Sequence, residues 1–175
     1  SELHWLRHPD GAVEVTLELR RDITAVIRRT RPEVIITQSP ERMLERIFAS
    51  HPDHMAAGEA PLRAVYPDAR NPRSYPELLA EGLEPHTVTQ VWMSAHKEAD
   101  LRVDVTDTFD RKIAALRAHA SQTGHRAALH AMIRGWPPMT APAVALAVAK
   151  ANDTERLMAQ AHAKLEDVFG YKSFR

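Results

Sequence analysis

Residues 33–40, EVIITQSP, constrain the fold of this chain more than any other stretch. Val34, Ile35, Ile36 and Thr37 are all β-branched, and Ser39-Pro40 closes the run, so it reads as a short buried strand. It follows directly on a helical pattern. Leu19, Ile23, Val26 and Ile27 recur at helical spacing, Arg20, Arg21, Arg28 and Arg29 fall elsewhere on the wheel, and Pro32 ends the helix. A helix that runs straight into a buried strand is half of a βαβ unit. The implied fold class is α/β, with a parallel sheet and helices packed on it.

The rest of the chain extends this pattern. Residues 1–12 read as irregular, with Asp10-Gly11 as a turn. A helix is expected from Pro52 to about Val65, weakened at Pro61. Residues 66–86 are rich in proline and turn formers, and read as a long ordered loop with one helical turn at Glu77–Ala80. TVTQVWMSA (87–95) and LRVDV (101–105) are two further strands. Thr106 or Asp107 is positioned to cap a helix whose stripe is Phe109, Ile113 and Leu116, with Gly124 as a stop after it. Another helical stretch covers Arg126 to Ile133, and residues 135–142 read as a second loop. The tail is expected to be helical, first an Ala/Val-rich piece and then a stripe of Leu157, Ala161, Leu165 and Val168. Three strands are fewer than the roughly four to six of an ordinary sheet. The sequence therefore reads as one domain, 1–175, entered partway, short of an N-terminal βαβ portion.

Composition narrows the function. Lys+Arg and Asp+Glu number 23 each, so nothing in the net charge calls for nucleic acid or an anionic membrane surface as partner. There is no cysteine, which removes disulfides, thiolate metal sites and cysteine nucleophiles, and fits a cytoplasmic protein. No apolar run approaches the ~20 residues needed to span a bilayer.

The candidate site is ASHPDHMAAGEA, residues 49–60. One reading is purely structural: Ser50 as N-cap, Pro52 at the first helical position, and Asp53 completing an S-x-x-D capping box. That reading leaves His51 and His54 unexplained. Three apart at a helix start, they point roughly the same way. Imidazole is a common zinc ligand and a neighbouring carboxylate a usual supporting partner. A catalytic zinc takes about three protein ligands and a water, and this stretch supplies one or two. Both readings stay open on spacing alone. The remaining histidines are weaker: His119 suits a helix end, His125 and His130 share no face, and His4, His86, His96 and His162 read as solvated. Arg7–Gly11, RHPDG, repeats the His-Pro-Asp string, but no strand precedes it, and it reads as a plain turn. Trp5, Trp92 and Trp136 read as packing residues.

Taken in order, IRRTRPEVIITQSP, SHPDHMAAGEAPLRAVYPDARNP, GLEPHTVTQVWM, VDVTDTFDRKIAALRAHASQ and FGYKSFR resemble the LmbE-like family, the PIG-L type of zinc-dependent N-deacetylase. The resemblance runs from about Leu17 to Arg175 and implies a Rossmann-like, three-layer α/β fold with a mainly parallel sheet and the metal beyond the strand ends. It implies hydrolysis of an N-acetyl group on an N-acetylglucosamine-type sugar or a related small conjugate, with one Zn2+ per chain. By the same resemblance His54 is a zinc ligand, His51 stabilises the oxyanion of the tetrahedral intermediate, and Asp53 orients or tunes His51. The competing expectation is a sugar- or partner-binding domain that kept the scaffold without the chemistry, and a homo-oligomer is left open.

The sequence also departs from the family. No AHPDD-type motif, which would complete the zinc site and supply the general base, is present. Ala49 stands where some relatives place a tyrosine, and Pro61 interrupts a usually smoother helix. The expectation is half of an active site: a weak zinc binder, inactive by itself, whose strand edge at EVIITQSP is either covered by the missing segment or exposed, so that copies associate or aggregate through it.

Overall fold

Helix α1 (Leu17–Thr30) begins where Thr16 turns its hydroxyl oxygen to accept the Leu19 N–H at 3.1 Å. It ends where Arg31 takes a left-handed conformation and returns its N–H to the Ile27 carbonyl, one residue ahead of Pro32. The helix therefore starts two residues earlier than its apolar spacing suggests. Its buried face is Leu19, Thr24, Ile27 and Arg28, so Arg28, expected on the outer wheel, points inward.

Only 2 % of Arg28 is exposed. Its Nη2 donates to the carbonyls of Asp68 (3.0 Å), Asn71 (2.8 Å) and Ser74 (3.0 Å), and its Nε to Ala69 (3.2 Å). A weaker contact reaches the Leu83 carbonyl at 3.5 Å. Burial lowers the guanidinium pKa, partly offset by Asp68, Glu77 and Glu84. The group stays charged because arginine starts so high. Nearby, Arg20 makes a two-pronged pair with the buried Asp68 carboxylate at 2.9 and 2.8 Å, and the Tyr75 hydroxyl donates to the Leu17 carbonyl at 3.2 Å. The long loop of the sequence is thus held to α1 by side chains, and it carries the short helix α3 (Pro76–Ala80) at the expected place.

The computed structural model describes residues 2–96, 98, 100–134 and the backbone of 143–150. The described residues gather into two units, one of 2–92 with 149–150 and one of 93–148. The first holds strand β1 (Val34–Gln38) and, beside it, the start of β2 (Gln90–Ser94), and the helical crossover between them suits parallel neighbours. The β1 strand forms as expected but is not fully buried: Ile36 is 66 % exposed. After β1 comes a 3-10 turn, Leu44–Ala49, and then α2 (Pro52–Arg63), which runs through Pro61 before the chain kinks at Tyr66, whose backbone is extended (φ −142°, ψ 121°). Ala56, Ala60 and Ala64 form the buried small-residue face of this segment. Gly58 sits against the end of β1: a Cβ there would run into the Gln38 carbonyl oxygen and lie 3.0 Å from the Pro40 nitrogen. Thr37 adds a hydroxyl bond to the Ala57 carbonyl at 3.1 Å.

In the second unit, the Asp104 carboxylate at the end of β3 (Leu101–Asp104) accepts both the Thr106 N–H (2.9 Å) and its hydroxyl (2.6 Å). These bonds hold its pKa below the ordinary carboxylate value. Helix α4 (Phe109–Ala118) then starts after Thr108, without a side-chain cap from Thr106 or Asp107. Phe109 and Ile113 of α4 pack with Leu129 and Ile133 of α6 (Leu129–Arg134), and Leu116 closes the cluster, which matches the predicted stripe. The short α5 (Ala120–Thr123) ends at Gly124. Strand β4 (Ala143–Lys150) pairs antiparallel with β3, Leu101 opposite Leu146 and Val103 opposite Val144. This corrects the helical reading of the Ala/Val-rich piece. AVALAVAK alternates with a period of two, and Val and Leu at every second position satisfy a pleated strand. The loop at 135–142 and the stripe from Leu157 to Val168 lie outside the described residues.

Two stability outcomes follow from this packing. Arg28→Met should lower unfolding stability by about 3 kcal/mol or more, because charge-assisted bonds to the carbonyls of Asp68, Ala69, Asn71 and Ser74 are lost together. Arg28→Lys, with fewer donors and no fork, should recover only part of that in a urea titration. Gly58→Ala should destabilise by ~1–3 kcal/mol through the clash with β1. Helix propensity alone would make the same change stabilising by about 1 kcal/mol, so the sign of the measured shift decides which effect wins.

Candidate functional site

The His-Pro-Asp-His string starts α2, beyond the carboxyl end of β1, where α/β sheets collect their ligand sites. Gly58 and the alanine face hold the helix against β1, and this fixes where its first turn lies. The capping, however, differs from the S-x-x-D expectation. Ser50 closes the preceding 3-10 turn, its hydroxyl oxygen accepting the Met43 N–H at 2.8 Å. The N-cap of α2 is His51, whose Nδ1 accepts the Asp53 backbone N–H at 3.2 Å, with Pro52 at the first helical position as expected. An Nδ1 that accepts carries no proton, so in this arrangement the His51 proton sits on Nε2.

The Asp53 carboxylate turns the other way. Only 8 % of the residue is exposed. Its two oxygens accept the Gly11 N–H at 2.6 Å and the Val13 N–H at 3.4 Å. The RHPDG turn, unassigned from the sequence, is thereby brought onto the motif. A buried carboxylate in the first turn of a helix also gains from the helix dipole.

His51 and His54 are both exposed, with ring centroids 5.3 Å apart and planes inclined at 47°. Beside them Pro52, Met55 and Ala56 of α2, with Val15 and Pro40, line an open, largely apolar cavity of about 330 Å3. An exposed imidazole such as His54 suits one position in a zinc coordination sphere. Among the described residues, no group of three or more His, Asp or Glu side chains is gathered to hold a metal ion.

Other histidines make contacts of their own. His86 is half-buried, its Nε2 at 2.8 Å from the Pro32 carbonyl rather than solvated. His4 lies 3.4 Å from Glu2 and His8 3.5 Å from Asp22. His119 ends α4, its N–H donating to the Leu116 carbonyl at 3.1 Å. Trp5 is 72 % exposed and does not pack as expected. Trp92 is half-buried and donates to Gln90 at 2.9 Å. The side chain of His130, and all of His162 and Trp136, fall outside the described residues.

Residues 1–65 match the family model of GlcNAc-PI de-N-acetylase, PIG-L. A diacetylchitobiose deacetylase from Thermococcus kodakarensis is 32 % identical over 122 residues, covering 70 % of this chain and 44 % of the relative. A probable N-acetyl-alpha-D-glucosaminyl L-malate deacetylase 2 from Bacillus subtilis is 31 % identical over 119 residues, covering 65 % and 48 %. The chain thus spans about half the length of the curated relatives it matches. In fold it is similar to the N,N'-diacetylchitobiose deacetylase of Pyrococcus horikoshii, with a TM-score of 0.72 at 21 % identity over 87 % of this chain and 59 % of that one. A conserved protein of Thermus thermophilus gives 0.60 at 22 % identity over 82 % and 64 %. These likenesses bear out the expected LmbE-like α/β fold. The ordered motifs, the family model matched over residues 1–65 and the fold agree in their likeness to the PIG-L (GlcNAc-PI de-N-acetylase) family.

Proposed function

We propose that this chain carries half of the active site of a metal-dependent N-deacetylase that acts on an N-acetylglucosamine-type sugar or a related small conjugate. The observation that carries this reading is the exposed His51–His54 pair at the N-terminus of α2, with rings 5.3 Å apart. The printed activities of the relatives, on diacetylchitobiose and on N-acetylglucosaminyl malate, support the substrate class.

Zn2+ is the proposed cofactor, with His54 as one ligand, and when bound it would lower the pKa of a water and polarise the amide carbonyl. His51 presents its Nε2–H as a donor to the carbonyl oxygen as negative charge grows there, worth ~3 kcal/mol by comparison with other single oxyanion donors. The Asp53 backbone N–H holds the ring in that orientation through Nδ1. The helix N-terminus adds partial positive charge on the same side. Acetate and a free amine leave as products. The proposed partner is a small acetylated amino sugar or conjugate, with neither nucleic acid nor membrane, and the cytoplasm is the proposed compartment. Among the described residues no helix is long and apolar enough to cross a membrane.

In the enzyme with its ligand set complete, His54→Ala should remove the metal and abolish acetate release. His51→Ala should keep the metal while kcat falls about 10²-fold or more and KM changes little. A raised KM with unchanged kcat would instead make His51 a ground-state binding residue. Residues 1–175 alone, supplied with Zn2+, should give no turnover. Chelator-sensitive hydrolysis by a stable monomer of these residues would overturn the half-site reading.

A further inference from the structure

The apolar cavity lined by Val15, Pro40, Pro52, Met55 and Ala56 has no task in the proposed reaction. Three links place it at the histidine pair. Pro52 is bonded directly to His51. Met55 stands one helical turn after His51, and side chains on a helix lean back toward its start. Arg42, which also lines the cavity, is bonded to Met43, whose N–H meets the Ser50 hydroxyl at 2.8 Å, and Ser50 precedes His51. The loop closed in this way is pinned again by the Ser50 N–H on the Ile47 carbonyl at 2.9 Å. It displays Leu44, Ile47 and Phe48, exposed by 76, 59 and 76 %. Apolar surface held out on an ordered loop beside an apolar cavity favours a ligand that takes it from water.

The chemistry of the lining says what that ligand is. Glu59, half-buried in the lining, is bonded to Arg63 at 2.6 Å. An anion would meet the exposed Arg42, and one exposed guanidinium contributes little in water. Size is generous: a cavity of ~150 Å3 admits benzene, so one of about 330 Å3 admits a substituted ring or a short alkyl chain. In an N-acetylated amino sugar the acetamido group and the glycosidic substituent leave neighbouring ring carbons. With the acetamido carbonyl at His51, the substituent falls to the adjoining cavity.

We infer that this cavity is the subsite for the glycosidic substituent, that it takes an apolar, uncharged aryl or alkyl group, and that Met55 is a specificity-determining residue. The sugar half of this inference rests on the deacetylase reading; the apolar half rests on the cavity.

The experiment is an NMR titration of the metal-free 175-residue chain, with methionine methyl and imidazole nitrogen labels. The probes are phenyl N-acetyl-β-D-glucosaminide, its methyl counterpart, and phenyl β-D-glucoside. The phenyl N-acetyl probe should bind about tenfold or more tighter than the methyl one, because the ring leaves water. It should show ring contacts to the Met55 methyl and shift the His51 and His54 signals. Phenyl glucoside should reach Met55 and leave the histidines unmoved. Met55→Gln, similar in size but polar, should reduce the phenyl preference to about twofold or less, and Met55→Leu should keep most of it. Unchanged signals from the buried Leu19 and Val91 check that each variant is folded. Equal affinity for the phenyl and methyl N-acetyl probes would overturn the inference. Concentration-dependent shifts at Leu44, Ile47 and Phe48 that compete with the phenyl ring would give this face to a second copy, and would overturn it too. Ring contacts at Met55 with unmoved histidines would support the apolar subsite and count against the deacetylase reading, so the two failures are separable.

Discussion

The buried guanidinium of Arg28 is the interaction on which the first unit depends. It spans the gap between α1 and the proline-rich segment, and donates to backbone carbonyls of that segment. A buried charge is costly unless its donors are satisfied. Here they are met by carbonyls of four neighbouring residues, with a weaker contact to Leu83, and Asp68 stands close enough to offset part of the lost hydration. The neighbouring Arg20–Asp68 pair locks the same segment from the side. With its backbone held in this way, a stretch of turn formers keeps one shape.

From there, order passes to the candidate site through close contact. Residues 64–69 follow α2 across a kink at Tyr66 and lead into the Arg28-bound segment, so the chain leaving that helix is tied to α1. Its middle is tied to β1 by Gly58 and Thr37. Both constraints act on the helix body, and the first turn is left to display His51 and His54. The Asp53 N–H goes to the His51 ring, and the helix otherwise keeps the positive end of its dipole toward the site.

Much of this is legible in the sequence, for reasons that can be named. The strand at Val34–Gln38 and the helix at Phe109–Ala118 carry strong local signals, β-branched density in one and helical spacing in the other. The motif stands out because two histidines have no structural task in a capping box. Other features are hidden because they depend on distant partners. Arg28 looks like a surface arginine until carbonyls 40 and 43 residues away accept its bonds. The RHPDG turn has no meaning until Asp53, 42 residues on from Gly11, accepts its N–H groups. Two further signals lie in the sequence but compete with stronger ones. A glycine in mid-helix at Gly58 announces close backbone approach, and the strict alternation of Ala143–Lys150 is a strand pattern, although its alanine content suggests a helix.

The central claim is that the two histidines of the motif divide their work, His54 toward metal and His51 toward the reacting oxygen. Anomalous diffraction at the zinc edge, from crystals of the chain held at a zinc concentration high enough to fill a weak site, addresses it most directly. The account predicts a peak at ~2.0–2.1 Å from an imidazole nitrogen of His54, with His51 Nδ1 still facing the Asp53 N–H. A peak bonded to His51 with His54 free of metal would contradict it.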